Sequence, residues 1–234
     1  MTTGFEERTT VRVLLADDEM IIRVGVRAIL TTDPDIEVVA EASDGRQAVE
    51  LARMHRPDVA LLDIRMPEMD GLTAAGELRG TNPETGVIML TTFGEDKYIE
   101  RALDQGVAGF LLKASDPREL ISGVRAVADG GSCLSPLVAR RLMTDLRRAP
   151  AQRGGEAEGL TGLLTQRERE VLGMLGAGLS NAQIAERLHL VEGTIKTYVS
   201  AILTRLGVRN RVQAAIIAYR AGLVENDPPG PGSS

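Results

Sequence analysis

Residues 59–71 read VALLDIRMPEMDG, an apolar run that stops at an acid and leads into a loop closed by Asp70 and Gly71. Four consecutive apolar residues, 59–62, suit a strand covered on both faces, because such strands carry continuous rather than alternating hydrophobicity. Working outward, the same texture recurs at 11–16 (VRVLLA), 36–40 (IEVVA), 87–90 (VIML) and 109–112 (GFLL). Between these runs, residues 21–30, 46–55, 72–79, 98–105 and 118–128 space their apolar side chains at three and four, the helical period. Pro117, just ahead of the last segment, suits a first helical turn. Strand and helix alternate five times. That pattern predicts an α/β fold, a doubly wound five-stranded parallel sheet.

This unit fills only about half of the chain. At 234 residues and roughly 100–200 residues per domain, two domains are expected, and 43% hydrophobic content is enough for two cores. After Gly130 and Gly131 the texture changes. Residues 131–162 read as a linker, with a short helix at about 137–146 and then a Gly-, Ala- and charge-rich stretch, RRAPAQRGGEAEGLTG, expected to be flexible. Residues 163–224 are helical throughout, with breaks at Gly178, around His189 and Leu190, and at Gly207. Residues 1–10 and 225–234 read as disordered tails.

Composition excludes several classes. A single cysteine, Cys133, rules out an internal disulfide framework, and with only His55 and His189 besides, no zinc cluster can be assembled. No run approaches the ~18 apolar residues of a membrane span, and MTTGFEERTT lacks the basic-then-apolar order of a leader, so a cytoplasmic location is expected. The net charge of −6 is unevenly spread. Residues 11–130 hold 13 Lys+Arg against 22 Asp+Glu, which is −9, whereas residues 163–224 hold 8 against 4, which is +4. Only the C-terminal part is thus suited to a polyanion.

In a doubly wound sheet of strand order 2-1-3-4-5, ligands bind beyond the carboxyl ends of the strands, near the switch point. The residues at those ends are Asp17 and Asp18 after the first strand, Asp63 after the third, Thr91 after the fourth and Lys113 after the fifth, with none from the second. Taken singly each has an ordinary explanation: an aspartate pair caps a helix, a lysine is solvated, a threonine closes a turn. Together they define a chemistry. Crowded carboxylates call for a hard divalent cation with oxygen ligands, and magnesium fits better than zinc where no His or Cys is near. A cation between Asp18 and Asp63 leaves an Asp63 oxygen free as a nucleophile for acyl phosphate formation. Lys113 then supplies a point charge, and Thr91 a hydroxyl, to the phosphoryl oxygens.

The motifs DDE at 17–19, LLDIRMPEMDG at 61–71, TT at 91–92 and GFLLK at 109–113 resemble the receiver domain of bacterial two-component response regulators, which has a flavodoxin-like fold, across residues 11–130. The separations of 28 residues from Asp63 to Thr91 and 22 from Thr91 to Lys113 agree with that family. The resemblance implies that Asp63 is the phosphoacceptor. It also implies that Mg2+ is held by Asp18 and Asp63 directly, by Asp17 mostly through water, and by the Arg65 backbone carbonyl. Thr91 and Lys113 would hold the phosphoryl group. Thr91 and Phe110 would form the switch, Phe110 lacking the hydroxyl of the alternative tyrosine. Ala114 stands where many receivers carry a cis proline, so a trans bond is expected there.

In the C-terminal part, Thr165 and Glu168 have the spacing of a capping box, and Val171, Leu172, Leu175 and Leu179 follow on one face. A short helix at 181–188 buries Ile184, Ala185 and Leu188. A longer one at 192–206 buries Ile195, Val199, Ile202 and Leu206 and carries Lys196 and Arg205, and a last helix covers about 211–221. Two helices joined by a tight turn describe either a helix-turn-helix or an ordinary helical bundle. The run TQREREVLGMLGAGLSNAQIAERLHLVEGTIKTYVSAILTRLGVRNRVQAA resembles the LuxR-type DNA-binding domain, which together with a receiver is similar to the NarL/FixJ subfamily. By that resemblance 192–206 is the recognition helix. Lys196, Thr197 and Ser200 would face the major groove, Thr194 and Asn181 the phosphates, and the last helix a second copy. Departures are Val191 in place of a capping serine, Tyr198 for a frequent histidine, and an uncharged Ser200.

The reading is a transcriptional regulator of a two-component system, not an enzyme beyond its own phosphorylation and dephosphorylation. A sensor histidine kinase would phosphorylate Asp63 and so free or dimerise the C-terminal domain to bind a double-stranded DNA operator. The alternative is a DNA-binding regulator controlled without phosphorylation, its receiver serving as a dimerisation platform. An aspartyl-phosphate phosphatase fits less well, because Arg65 occupies the place of the second aspartate such enzymes use as general acid.

Overall fold

The computed structural model describes residues 10–92, 98–135, 138 and 159–224. The chain forms two compact units, within residues 1–142 and 143–234. The expected helix at 137–146 lies outside the described residues apart from Val138, as do most of the linker and, apart from Thr10, both tails.

The first unit is built on β1 (Val11–Ala16), β2 (Ile36–Ala42), β3 (Val59–Asp63), β4 (Gly86–Thr91) and β5 (Gly109–Leu112). A sixth strand, β6 (Cys133–Leu134), extends the sheet, whose order is β2-β1-β3-β4-β5-β6 with every pair parallel. Five strands were expected and there are six. The extra strand has two residues and no apolar run to announce it. What admits it is a missing side chain: a Cβ at Gly109 would lie 2.3 Å from Cys133 Sγ.

The central strands are apolar throughout because helices cover both faces. Helices α1 (Met20–Leu30) and α5 (Pro117–Ala128) pack on each other, and so do α2 (Gly45–His55) and α3 (Gly71–Thr81), with α4 (Ile99–Asp104) beside α3. Val13, Leu15, Leu61, Ile88, Leu90 and Leu111 meet Val26, Leu30, Leu120 and Val124 in one core. Side chains alternate along a strand, so Leu62, Met89 and Phe110, which are cross-strand partners, line the opposite face. Asp44, Asp70 and Asp116 cap α2, α3 and α5 by accepting backbone N–H groups, and Pro117 opens α5.

The second unit is helical: α6 (Gln166–Gly176), α7 (Asn181–Leu188), α8 (Glu192–Leu206) and α9 (Arg211–Arg220). Its order begins before 163. Residues 159–161 form a helical turn, Leu160 packs on the core and Leu164 is buried, so the last residues of the expected flexible linker belong to this unit. The breaks at Gly178, His189 and Gly207 all adopt positive φ, as helix ends require. Both Thr165–Glu168 and Ser180–Gln183 close capping boxes. Val191, the N-cap of α8, makes no side-chain cap. Among the described residues no helix is long and apolar enough to cross a membrane.

Candidate functional site

Parallel register brings the strand ends together. Ala16 pairs with Leu62, Asp63 with Leu90, and Thr91 with Leu112, so Asp17, Asp63, Thr91 and Lys113 all leave the sheet at the same edge. Asp17, Asp18 and Asp63 each offer a carboxylate oxygen within 4.8 Å of the others. Asp17, Asp63 and Thr91 are buried and Asp18 is exposed, so the cluster opens to solvent on one side. The capping explanation of the aspartate pair fails: the N-cap of α1 is Glu19, without a side-chain bond, and Asp17 Oδ1 instead accepts the Glu19 N–H at 3.0 Å.

Lys113 is the cationic counterpart. Its Nζ lies 2.8 Å from Asp17 Oδ2, 3.1 Å from Asp63 Oδ1 and 3.7 Å from Glu19 Oε1. Burial pushes the Asp63 carboxyl up to about 6 with help from the Asp17 charge, while Lys113 pulls the other way. Burial also tends to lower the Lys113 ammonium, but its hydrogen bonds to Asp17 and Asp63 and their charges outweigh that and raise it. The Thr91 hydroxyl donates to the Thr92 carbonyl at 3.0 Å, and the Lys113 N–H donates to the Thr91 carbonyl at 2.9 Å, which ties the two strand ends together. Phe110 is fully buried. Arg65 lies on the exposed loop two residues beyond Asp63. Among the described residues no peptide is cis, and Lys113–Ala114 is trans.

The donor set fits a hard cation. It is made of oxygen only, and the buried Asp17 Oδ2 is met by the Lys113 ammonium at 2.8 Å, a cation already standing where carboxylates converge. Ligands of one octahedral magnesium at ~2.1 Å lie about 2.9–4.2 Å apart, so only a small closure of the cluster would be needed. Gly71 holds the loop from beneath: its N–H donates to the Ile64 carbonyl, and a Cβ there would fall 1.9 Å from the Asp63 carbonyl oxygen. Sequence reasoning missed Arg23 and Glu41. Arg23 Nη1 donates to the Asp17 carbonyl at 2.7 Å and approaches the Asp18 carbonyl at 3.4 Å, and Glu41 of β2 sits 3.8 Å from Arg23 Nε. The second strand therefore does contribute, through a side chain one step removed.

In the second unit, α8 presents Gly193, Lys196, Thr197, Ser200 and Thr204 on one exposed face and buries Ile195, Ile202 and Leu206 on the other. Lys196 Nζ rests 3.0 Å from Glu192 Oε1, and the Thr197 hydroxyl donates to the Gly193 carbonyl at 3.0 Å. Thr194 is half-buried beside the turn. Arg205 is drawn off this face by Glu168, whose Oε2 lies 2.7 Å from its Nη1. Asn181 departs from expectation. It is 2% exposed and its Oδ1 accepts from Arg211 Nη1 at 3.2 Å, so its side chain belongs to the interior and is not presented to a phosphate. Arg211, itself buried and also bonded to the Leu179 carbonyl, has its pKa lowered by that burial to about 10. The helical wheel of α9 alone does not reveal this pairing across to α7.

Known proteins share both units. Residues 13–125 match the response regulator receiver domain family, and residues 162–218 match the luxR family of bacterial regulatory proteins. The chain is 38% identical over 215 residues to the uncharacterized transcriptional regulatory protein YxjL of Bacillus subtilis (strain 168), covering 92% of this chain and 98% of that one. It is 37% identical over 216 residues to the response regulator protein VraR of Staphylococcus aureus, covering 92% of this chain and all of VraR (100%). A crystal structure of response regulator ChrA, from a heme-sensing two-component system, matches with a TM-score of 0.51 and 36% identity over 92% of this chain and 100% of that chain. Receiver strand ends, an exposed helix-turn-helix face and this span of likeness agree: the chain belongs to the two-component response regulators that carry a LuxR-type DNA-binding domain, the NarL/FixJ subfamily.

Proposed function

We propose that Asp63 accepts a phosphoryl group from a sensor histidine kinase, its carboxylate oxygen forming a P–O bond as the donor's N–P bond breaks. The observation that carries this reading is the meeting of Asp17, Asp18 and Asp63 with Lys113 at one sheet edge. Asp18 and Asp63, with Asp17 through water and the Arg65 carbonyl, would hold Mg2+, which supplies charge neutralisation for the transferred oxygens. Lys113 would exchange a carboxylate partner for a phosphoryl oxygen. The Thr91 hydroxyl would leave the Thr92 carbonyl to do the same. Thr91 and Phe110 would then bias the receiver between two states, freeing or dimerising the C-terminal unit.

In the DNA-bound dimer, Lys196, Thr197 and Ser200 would enter the major groove of an operator half-site and Thr194 would meet a phosphate, with α9 as the contact between copies. Residues 11–130 act as the receiver and residues from 159 to 224 as the DNA-binding domain, in the cytoplasm. The receiver works only on its own phosphorylation and dephosphorylation.

The test is intact-protein mass after incubation with Mg2+ and a small-molecule phosphodonor. A single phosphoryl adduct is expected on the wild type, absent from Asp63→Asn and lost with chelator. A folded, DNA-binding protein with no adduct would overturn the phosphoacceptor and leave the phosphate-independent regulator standing.

A further inference from the structure

Residues 17–19 belong neither to β1 nor to α1, yet the proposed metal site requires two adjacent carboxylates there to be held against their mutual repulsion. The hydrogen-bond ladder of α1 starts at the Glu19 carbonyl, which accepts from Ile22 and Arg23. The carbonyls of Asp17 and Asp18 fall before it. Arg23 reaches back to both of them with Nη1, at 2.7 and 3.4 Å. Its Nε faces Glu41 Oε2 at 3.8 Å, and the other oxygen of Glu41 holds Arg27 Nη1 at 2.5 Å. The Arg23 side chain is only 17% exposed. The guanidinium is thus hydrogen-bonded through Nη1 and faced by an anion at ion-pair distance on its Nε edge, and its planar fork can meet both where a single ammonium meets one.

We propose that Arg23, braced by Glu41, is a positioning residue that fixes the main chain beneath Asp17 and Asp18 so that both carboxylates are presented to the cation. The inference rests on the magnesium reading above. It makes a prediction opposite in sign to simple electrostatics. Removing a positive charge near a cation site should tighten cation binding by Coulomb's law. Removing a support that orients the ligands weakens it, commonly by about tenfold or more.

The experiment is a Mg2+ titration of the full chain by calorimetry, and in parallel by the rise in receiver melting temperature with Mg2+. Wild type, Arg23→Met, Arg23→Lys, Glu41→Gln and Asp18→Asn would be compared, with melting in chelator as the measure of fold. Arg23→Met is expected to weaken Mg2+ about tenfold, with Arg23→Lys and Glu41→Gln weakened by roughly threefold. Equal or tighter binding in Arg23→Met overturns the positioning role. If that variant fails to fold, wild-type affinity in both Arg23→Lys and Glu41→Gln overturns it instead. A wild type that binds no Mg2+, or an Asp18→Asn that binds as the wild type does, overturns the metal reading itself.

Discussion

Replacing Asp63 by asparagine should make the metal-free receiver more stable. Asp63 is 5% exposed, and burial lifts its carboxyl pKa from an ordinary 3.8 to about 6 even with Lys113 alongside. At 1.36 kcal/mol per pKa unit, the ionised group therefore opposes folding by about 3 kcal/mol. Solvent at the open side, where Asp18 is exposed, screens this to about 1–2 kcal/mol. The sign follows from the two states. The unfolded chain releases this proton near 3.8 and the folded chain near 6, so the penalty grows as pH rises through that window and is complete above it. Calorimetry in chelator at about pH 7.5 should show the receiver transition of Asp63→Asn higher by roughly 5 °C. The gain should shrink steadily as pH falls below about 6 and vanish near 4. Added Mg2+ should narrow the gap, because only the wild type keeps the full ligand set. An Asp63→Asn receiver that melts at or below the wild type at about pH 7.5 would falsify the reasoning, and would mean that the Lys113 ion pair outweighs desolvation.

Gly71→Ala should destabilise the receiver by about 1–3 kcal/mol and impair phosphorylation, because its methyl would sit 1.9 Å from the Asp63 carbonyl; an unchanged denaturation midpoint would refute this. Val191→Ser supplies the missing cap of α8 at a position 73% exposed, and should raise the stability of the C-terminal unit by about 0.5–1 kcal/mol in denaturant unfolding. Glu168→Gln should flatten the acid limb of that unit's melting curve. Burial acts to raise the Glu168 carboxyl, but the Thr165 N–H and hydroxyl and the Arg205 charge outweigh it and hold it below 4.5. Its stabilisation is thus complete above that value and lost as pH falls through the lower folded one; equal acid slopes in the two proteins would exclude the assignment. Lys196→Ala should weaken operator binding by about 1–3 kcal/mol and relax specificity at the base it meets, read by anisotropy against operator and scrambled duplexes, and unaltered affinity would remove Lys196 from the interface.

The acidic site was legible because each of its residues terminates a strand, and strand termini can be read from apolar runs. Asp17, Asp63, Thr91 and Lys113 follow such runs directly, and parallel register does the rest. Strand β6 was not legible, since two residues carry no period and its place depends on the space that Gly109 leaves. Arg23 and Glu41 escaped for a different reason. Their contact joins a helix to a neighbouring strand, and its targets are main-chain carbonyls, which every residue has and no sequence pattern marks. Asn181 is a different case: the resemblance alone gave it to a phosphate, and no local pattern shows that Arg211 of α9 folds over it and buries both. The turn itself was plain, since Gly178, His189 and Gly207 stop their helices in the left-handed region.

What the local rules of stability disfavour is concentrated at one edge of the receiver. Three carboxylates stand together, one of them in surroundings that resist its ionisation, and the buried Asp17 shares the Lys113 ammonium with Asp63. Lys113 offsets part of this and no more, because one ammonium cannot satisfy three acids. Such a site is poised: any arrival that brings cationic charge, or lets Lys113 and Thr91 take stronger acceptors, changes the free energy of the whole edge. The Thr91 hydroxyl donates to a neutral carbonyl at 3.0 Å, a bond weaker than one to an anionic oxygen, so on the proposed function it would gain by turning to a phosphoryl group. Phe110 is fully buried on the sheet face opposite the α1–α5 core, and a packed interior accommodates a displaced ring by repacking between discrete states, not by gradual yielding. On the proposed function, the electrostatic tension at the strand ends would supply the bias and the packing beneath them would make the response a switch.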